Sequence, residues 1–194
     1  MLRLKRLFFS LLSWILVMHP RGGCKRAQMF GKYHVFGRFG KQCIWQGWKV
    51  PLYSDLIFIH DNVFVAPGVK FVTHDGIQYL LNRKYHTKEF VEKVGCIEIM
   101  DNVFISSNTL VLYNTRIGSN VIIGANTVVN KDLPGNAVYA GVPARRICSF
   151  DEYVEKHRKY SELFRSKFGL AQIHGVDKVL ADKLHEDFIK QRKG

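Results

Sequence analysis

Apolar residues recur every six positions through the middle of this chain. Counting in sixes lands on Tyr53, Ile59, Val65 and Phe71 and, after an interruption, on Ile99, Ile105, Val111, Ile117, Ile123 and Val129, all of them apolar. Four residues after each stand Ile57, Val63, Val69, Asp75, Val103, Thr109, Thr115, Val121, Thr127 and Leu133, which apart from Asp75 are β-branched or aliphatic. A unit of six with two inward positions does not match the 3.6-residue period of a helix and is too long for simple strand alternation. Short strands joined by tight corners satisfy it. Asp61-Asn62, Asp101-Asn102, Ser119-Asn120 and Ala125-Asn126 recur at one place in their hexads, where asparagine tolerates turn geometry that most side chains resist. Three such faces make a triangular coil of about 18 residues, and stacked coils bury a continuous aliphatic column. The expected body is an all-β, parallel β-helix of about five coils within residues 35–148, its regular hexads ending near Leu133.

Residues 76–95 break the period with a polar and aromatic stretch, and the repeat resumes at Ile99. That predicts an ordered excursion out of the coil. After Leu133, residues 134–147 read as turns and a short strand. The apolar spacing of Tyr153, Val154, Tyr160, Leu163, Phe164 and Phe168 predicts a helix, and Val176, Val179, Leu180, Leu184, Phe188 and Ile189 predict a second one beyond the Gly169–Gly175 break. These C-terminal helices, residues 149–194, are expected to cap the open coil or to dock on a neighbour. Residues 1–34 form an N-terminal segment in which Arg3, Lys5 and Arg6 precede the apolar run Leu7 to Met18. No small-residue cleavage site follows, and twelve apolar residues are too few to span a bilayer. A helix over about 2–18 is expected, packed on its own domain, on a neighbouring subunit, or in a membrane interface.

Composition narrows the partners. The 194 residues hold 29 Lys and Arg against 16 Asp and Glu, a net charge of +13, which predicts an anionic partner. No aromatic-basic nucleic-acid module accompanies that charge, which is scattered along the chain, so nucleic acid is not expected. Cys24, Cys43, Cys96 and Cys148 include no C-x-x-C pair, which argues against a disulfide framework or cysteine zinc site and fits a reducing compartment, the cytoplasm.

Residues 96–108, the run 117–134 with its Ile123-Gly124-Ala125 and Lys131-Asp132-Leu133-Pro134 elements, and Ala140-Gly141-Val142-Pro143-Ala144 closely resemble the left-handed β-helix hexapeptide acyltransferases. Within that family the resemblance is to the maltose, galactoside and xenobiotic O-acetyltransferases and to the capsular polysaccharide acetyltransferases. It implies a left-handed coil, a homotrimer with active sites between subunits, and acetyl-CoA as acyl donor with no metal. The family's catalytic histidine lies just before the excursion, the place of His74 in Val72-Thr73-His74-Asp75. An imidazole titrating near neutrality suits a general base. Asp75, adjacent along a strand, points away and belongs to the turn. Carried over by position, Ser107 would offer its backbone N–H to the thioester oxygen and Ala125 would present backbone groups to the pantetheine arm. Asn130 and Lys131 match a Thr-Lys pair near the nucleotide, and Arg145 would meet CoA phosphates. Ser106 replaces the usual glycine, Leu112-Tyr113-Asn114 the usual Leu-Pro-Gly, and Cys148 stands where several relatives carry arginine.

The implied function is acetyl transfer from acetyl-CoA to a hydroxyl of a sugar or surface-polysaccharide precursor. The acceptor pocket is expected from the Tyr53-Ser54-Asp55 region, the excursion and a neighbouring subunit, with the basic N-terminus compatible with work at the inner face of the membrane. Competing readings are N-acetylation of a nucleotide-linked amino sugar, xenobiotic or serine O-acetylation, and a non-catalytic β-helix subunit. A carbonic anhydrase on the same coil would need three convergent histidines, whereas His60, His74 and His86 are 14 and 12 residues apart with no H-x-x-x-x-H pair.

Overall fold

The computed structural model describes residues 2–15, 22–47, 49–169 and 175–192. The hexads fold as short parallel strands on three faces. The first face stacks β1 (Arg38–Phe39), β3 (Ile57–Ile59), β6 (Ile97–Ile99) and β9 (Thr115–Ile117). The second stacks β2 (Ile44–Trp45), β4 (Val63–Val65), β7 (Val103–Ile105), β10 (Val121–Ile123) and β12 (Ala137–Ala140), and the third β5 (Lys70–Val72), β8 (Leu110–Leu112) and β11 (Val128–Val129). Every pairing among these strands is parallel, and each strand pairs with the one a coil above at matching hexad positions, as in Val63↔Val103↔Val121↔Ala137. The coil runs past Leu133, since the short strand expected after it is β12, the top parallel strand of the second face. There β13 (Arg145–Ser149) pairs antiparallel with β12 and ends the parallel stack.

The column forms where the spacing puts it. Ile59, Val65, Phe71, Ile99, Ile105, Val111, Ile117, Ile123 and Val129 are all buried, as are Ile57, Val63, Val103, Val121 and Leu133. Tyr53 departs from the expectation: it is half-exposed at φ 52°, the left-handed residue before a 3-10 turn, Ser54–Leu56. That turn supplies the corner into β3, so the frame counted through Tyr53 falls on a corner rather than a face. Thr109, Thr115 and Thr127 are buried at inward positions because each hydroxyl donates to the carbonyl three residues earlier, at Ser106, Leu112 and Gly124, leaving no orphan donor.

Asparagine builds the corner between the first and second faces. Asn62, Asn102, Asn120 and Asn136 all have φ between 55° and 59°. Their amides form a ladder along the coil axis: Asn62 Nδ2 donates to Asn102 Oδ1 at 2.8 Å, Asn102 to Asn120 at 3.1 Å, and Asn120 to Asn136 at 2.8 Å. Asn108 and Asn126 play the left-handed part at the second-to-third corner, and Asn114 at the third-to-first.

Before the coil lie α1 (Leu2–Ile15) and α2 (Gly22–Lys32), the latter not expected from the sequence. The part of the N-terminal expectation that falls on 16–18 lies outside the described residues. Phe30 of α2 meets Phe36 and Trp45 with ring centroids 5.3 and 5.7 Å away, and Trp45 stacks on Phe71 at 5.5 Å, so aromatic rings close the base of the column. Arg26 is buried there, its Nε donating to the Trp45 carbonyl at 2.9 Å, and burial lowers its pKa. The chain divides into two compact units, Met1–Asp151 and Glu152–Gly194. The expected C-terminal helices are α4 (Phe150–Phe168) and α5 (Lys178–Lys190). Asp177 caps α5 by accepting from the Leu180 N–H at 2.8 Å, and Lys167 pairs with Asp187.

Candidate active site

Residues 73–95 leave the coil at its third-to-first corner and return to the same level. The neck is a short antiparallel contact in which His74 bridges Val94, the Asp75 N–H donates to the Lys93 carbonyl at 3.0 Å and the Gly95 N–H to the Thr73 carbonyl at 2.9 Å. Beyond it the excursion is ordered as expected. It forms α3 (Ile77–Tyr85), and Asn82 fastens the returning strand by exchanging two hydrogen bonds with Phe90 through its amide group, at 2.8 and 3.1 Å.

Asp75 sits in the turn. One carboxylate oxygen accepts from the Ile77 N–H at 3.2 Å and the other from the Tyr113 hydroxyl at 2.8 Å. The Tyr113 hydrogen bond is the main reason that the Asp75 carboxyl is held below its ordinary pKa, and the same bond raises Tyr113. Tyr113 therefore anchors the root of the excursion one coil above His74. Sequence reasoning marked residues 112–114 only as a departure from the family pattern. The signal available was a hydroxyl-bearing side chain in place of proline at that corner.

His74 is half-buried. Its Nδ1 is buried and has no hydrogen-bond partner among the described residues. The Tyr53 ring lies edge-on, centroids 5.1 Å apart and planes at 73°, and the Tyr53 hydroxyl donates to Glu92 on the returning strand at 3.0 Å. The imidazole is thus flanked by an aromatic wall that joins the coil to the excursion. Of the neighbouring pocket candidates, Ser54 is engaged by donating to the Val35 carbonyl at 2.6 Å, and Asp55 is exposed. The other two histidines at 12- to 14-residue spacing lie apart in role. His60 pairs with Glu98 at 3.1 Å on the first face, and His86 ends α3 at φ 50°.

The positions aligned with acyl-donor contacts divide between two corners. Ser107 and Ala125 occupy the second-to-third corner one coil apart, joined by the Asn126 N–H donating to the Ser107 carbonyl at 3.0 Å. Among the described residues their own backbone N–H groups donate to nothing, whereas those of Ser106, Asn108, Gly124 and Asn126 are all engaged. Pro67, which has no N–H, fills the same corner position one coil below. In these two coils the corner therefore directs one backbone donor each away from the ladder. Ser106 does not disturb this, since its N–H donates to the Ile123 carbonyl. Arg145 is exposed and pairs with Ala140, directly above Gly124, so it continues the same edge upward. Cys148 pairs with Val138 in the ladder of β13.

Asn130 and Lys131, both exposed, lie at the other end of the third face, because Val129 aligns with Val111 and so Lys131 with Tyr113. His74 is at that end too. Val72 pairs with Leu112 at the end of the third face, so His74 lies beyond its third-to-first end while Ser107 lies before its second-to-third end. A concavity of about 350 Å³ lined by Lys49, Pro67, Gly68, Val69 and Lys70 opens at the Ser107 corner one coil below. A larger one of about 590 Å³ lies against α2, beside Cys24 and Cys43, away from His74.

Comparison with known proteins places this geometry. Residues 97–131 match the family described as bacterial transferase hexapeptide (six repeats). The chain is 44% identical over 101 residues to Protein CapG of Staphylococcus aureus, an overlap of 52% of this chain and 57% of that protein, so it spans little more than half the length of that curated relative. Among solved structures it superposes on a maltose O-acetyltransferase from Clostridium difficile with a TM-score of 0.52 at 24% identity, over 76% of this chain and 87% of that one. A galactoside acetyltransferase in complex with coenzyme A gives 0.56 at 24% identity, over 79% and 84%. Residues 97–131 therefore carry hexapeptide repeats, the chain is similar to CapG over about half its length, and it shares the left-handed parallel β-helix fold of these two solved structures.

Proposed function

We propose that this chain is an acetyl-CoA-dependent O-acetyltransferase that acylates a hydroxyl of a sugar or surface-polysaccharide precursor, with His74 as general base and a homotrimer whose active sites lie between subunits. The observation that carries this reading is His74, half-buried at the neck of the excursion on a fold shared with sugar acetyltransferases. The separation of the two corners favours a site made by two chains. The His74 corner of one would face the Ser107 corner of the next, with acetyl-CoA lying along the edge between.

In that arrangement Ser107, Ala125 and Arg145 of one chain and Asn130 and Lys131 of the other would hold the donor. The unengaged N–H groups of Ser107 and Ala125 fit a ligand that needs backbone donors, and exposed Lys131 and Arg145 fit its phosphates. Acetyl-CoA supplies the activated acyl carbon. His74 Nε2 takes the proton from the acceptor hydroxyl while that oxygen bonds to the thioester carbonyl carbon. Ser107 donates its N–H to the carbonyl oxygen as negative charge grows there. His74 then returns the proton to the sulfur as the carbon–sulfur bond breaks, so protons and electron pairs balance without an acyl-enzyme. A base at Nε2 carries its resting proton on Nδ1, and an acceptor from the neighbouring subunit would satisfy that buried atom.

Thiol release from acetyl-CoA over a panel of sugars, amino sugars and serine tests this directly, with wild type and His74→Ala run side by side. Acceptor-dependent release that drops by about a hundredfold or more in the variant is expected. Absence of both acetyl-CoA binding and thiol release with every acceptor would overturn the reading in favour of a non-catalytic β-helix subunit.

A further inference from the structure

Helix α1 lies on the coil with an apolar face outward. Leu4, Leu7, Phe8, Leu11 and Ile15 are between 55% and 74% exposed, and their spacing of i, i+3, i+4, i+7 and i+11 puts them on one side of the helix. The opposite side is committed to the fold. Phe9 is buried with its ring 5.5 Å from Tyr33, Leu12 packs against the core, and Ser10 Oγ accepts from the Val50 N–H at 3.2 Å. The helix is therefore held against its own domain, and its outer leucines have no place in that core.

The surrounding sequence bears on what chemistry meets that stripe. Up to Ser54 the chain has ten Lys and Arg and not one Asp or Glu, so ten of the thirteen net positive charges belong to the first 54 residues. The charge that looks scattered along the chain is thus concentrated at this end, with Arg3, Lys5 and Arg6 in α1 itself. Next to it, half-exposed Tyr33 has the Lys32 ammonium 5.4 Å from its ring centroid, an aromatic and a cation together at the surface. Among the described residues no helix is long and apolar enough to cross a membrane.

We infer that α1 docks the protein on an anionic lipid bilayer, with Leu4, Leu7, Phe8, Leu11 and Ile15 entering the boundary between headgroups and acyl chains while the basic N-terminal segment meets the headgroups. Charge complementarity selects this occupant. A second copy would bring the same uncompensated positive charge to the contact, and a nucleic acid would gain nothing from five large apolar side chains on one face. The inference does not depend on the acetyltransferase reading and extends it by placing the catalyst where lipid-carried acceptors are.

The test is cosedimentation of the full chain with vesicles of phosphatidylcholine alone or with about one third phosphatidylglycerol. Binding is expected only to the anionic vesicles, weakened by high salt. Leu7→Gln combined with Leu11→Gln leaves charge unchanged at two exposed positions, and is expected to weaken binding about tenfold or more with the unfolding midpoint and oligomeric mass of wild type. Arg3→Gln combined with Lys5→Gln keeps the stripe and is expected to weaken binding while flattening its salt dependence. No cosedimentation with anionic vesicles at low salt would overturn the inference. So would a Leu7/Leu11 variant that binds vesicles like wild type but changes oligomeric mass, which would make the stripe a protein interface.

Discussion

A tyrosine hydroxyl on the coil and a carboxylate at the root of the excursion share one hydrogen bond, and that bond fixes where the excursion begins. Because the Tyr113 hydroxyl is the chief cause of the depressed Asp75 pKa, Tyr113→Phe should move the Asp75 titration up toward the ordinary carboxylate range. An NMR pH titration of the Asp75 side chain reads this, and an unchanged midpoint would remove Tyr113 as its anchor. The place where the excursion leaves the coil was legible in the sequence, because the period stops there and resumes later. The Asp75–Tyr113 pair was not, since its two residues are 38 apart and meet only once the route of the excursion is known. Tyr53 misled for a related reason. A tyrosine counts as apolar in a period of six, but its φ of 52° belongs to a corner that only the 3-10 turn reveals.

At the scale of the corner and the strand, the asparagine ladder makes a sharp energetic claim. Asn102 has φ 59°, donates to Asn120 and accepts from Asn62, so Asn102→Ala loses two amide bonds and puts a Cβ in the left-handed region. With about 1–2 kcal/mol for that backbone conformation and at most about 1 kcal/mol for each surface hydrogen bond, a loss of roughly 2–3 kcal/mol is expected in urea unfolding. Asn102→Gly should fall between the two, because glycine removes the ladder but not the φ tolerance. An alanine variant as stable as wild type would mean that the ladder is ornamental. On the first face, Glu98 accepts from Arg116 at 2.7 Å and pairs with His60, and these contacts, His60 first, depress its pKa. A depressed carboxylate adds stability that is complete above its unfolded pKa of about 4.3 and is lost as pH falls through the lower folded value. The wild-type melting midpoint should therefore drop more steeply below about pH 5 than that of Glu98→Gln, which has no carboxylate to protonate. Faces, corners and the aliphatic column were readable from the hexads because each position has one job repeated at every coil. The α2 helix was not, since its buried Phe30 and Met29 serve an aromatic base that appears only once and leaves no period.

The largest consequence concerns how many chains make one site. Counting along the sequence could not reveal it, because the excursion of more than twenty residues destroys the register of eighteen that would tell which corner His74 shares with Ser107. Folded, His74 and Ser107 sit at opposite ends of the third face, and Pro67 at the corner position below Ser107 provides a way to separate their proposed roles genetically. Ser107→Pro removes only an N–H that serves no bond among the described residues, at a position where the coil already accepts proline, so the variant should fold with near wild-type stability. Under the proposed mechanism it should nevertheless lose about 100- to 1000-fold in kcat, the cost typical of deleting one donor to a developing oxyanion. His74→Ala should be inactive for the complementary reason. Co-expressed at equal amounts, the two defective chains should assemble at random, and a site that takes its histidine from one chain and its N–H from the next is intact in about one case in four. Activity near a quarter of wild type in the mixed oligomer, against almost none in either parent, is the expected result. If each site instead lay within one chain, every site would carry one defect whatever the mixing, and the mixture would be as inactive as its parents.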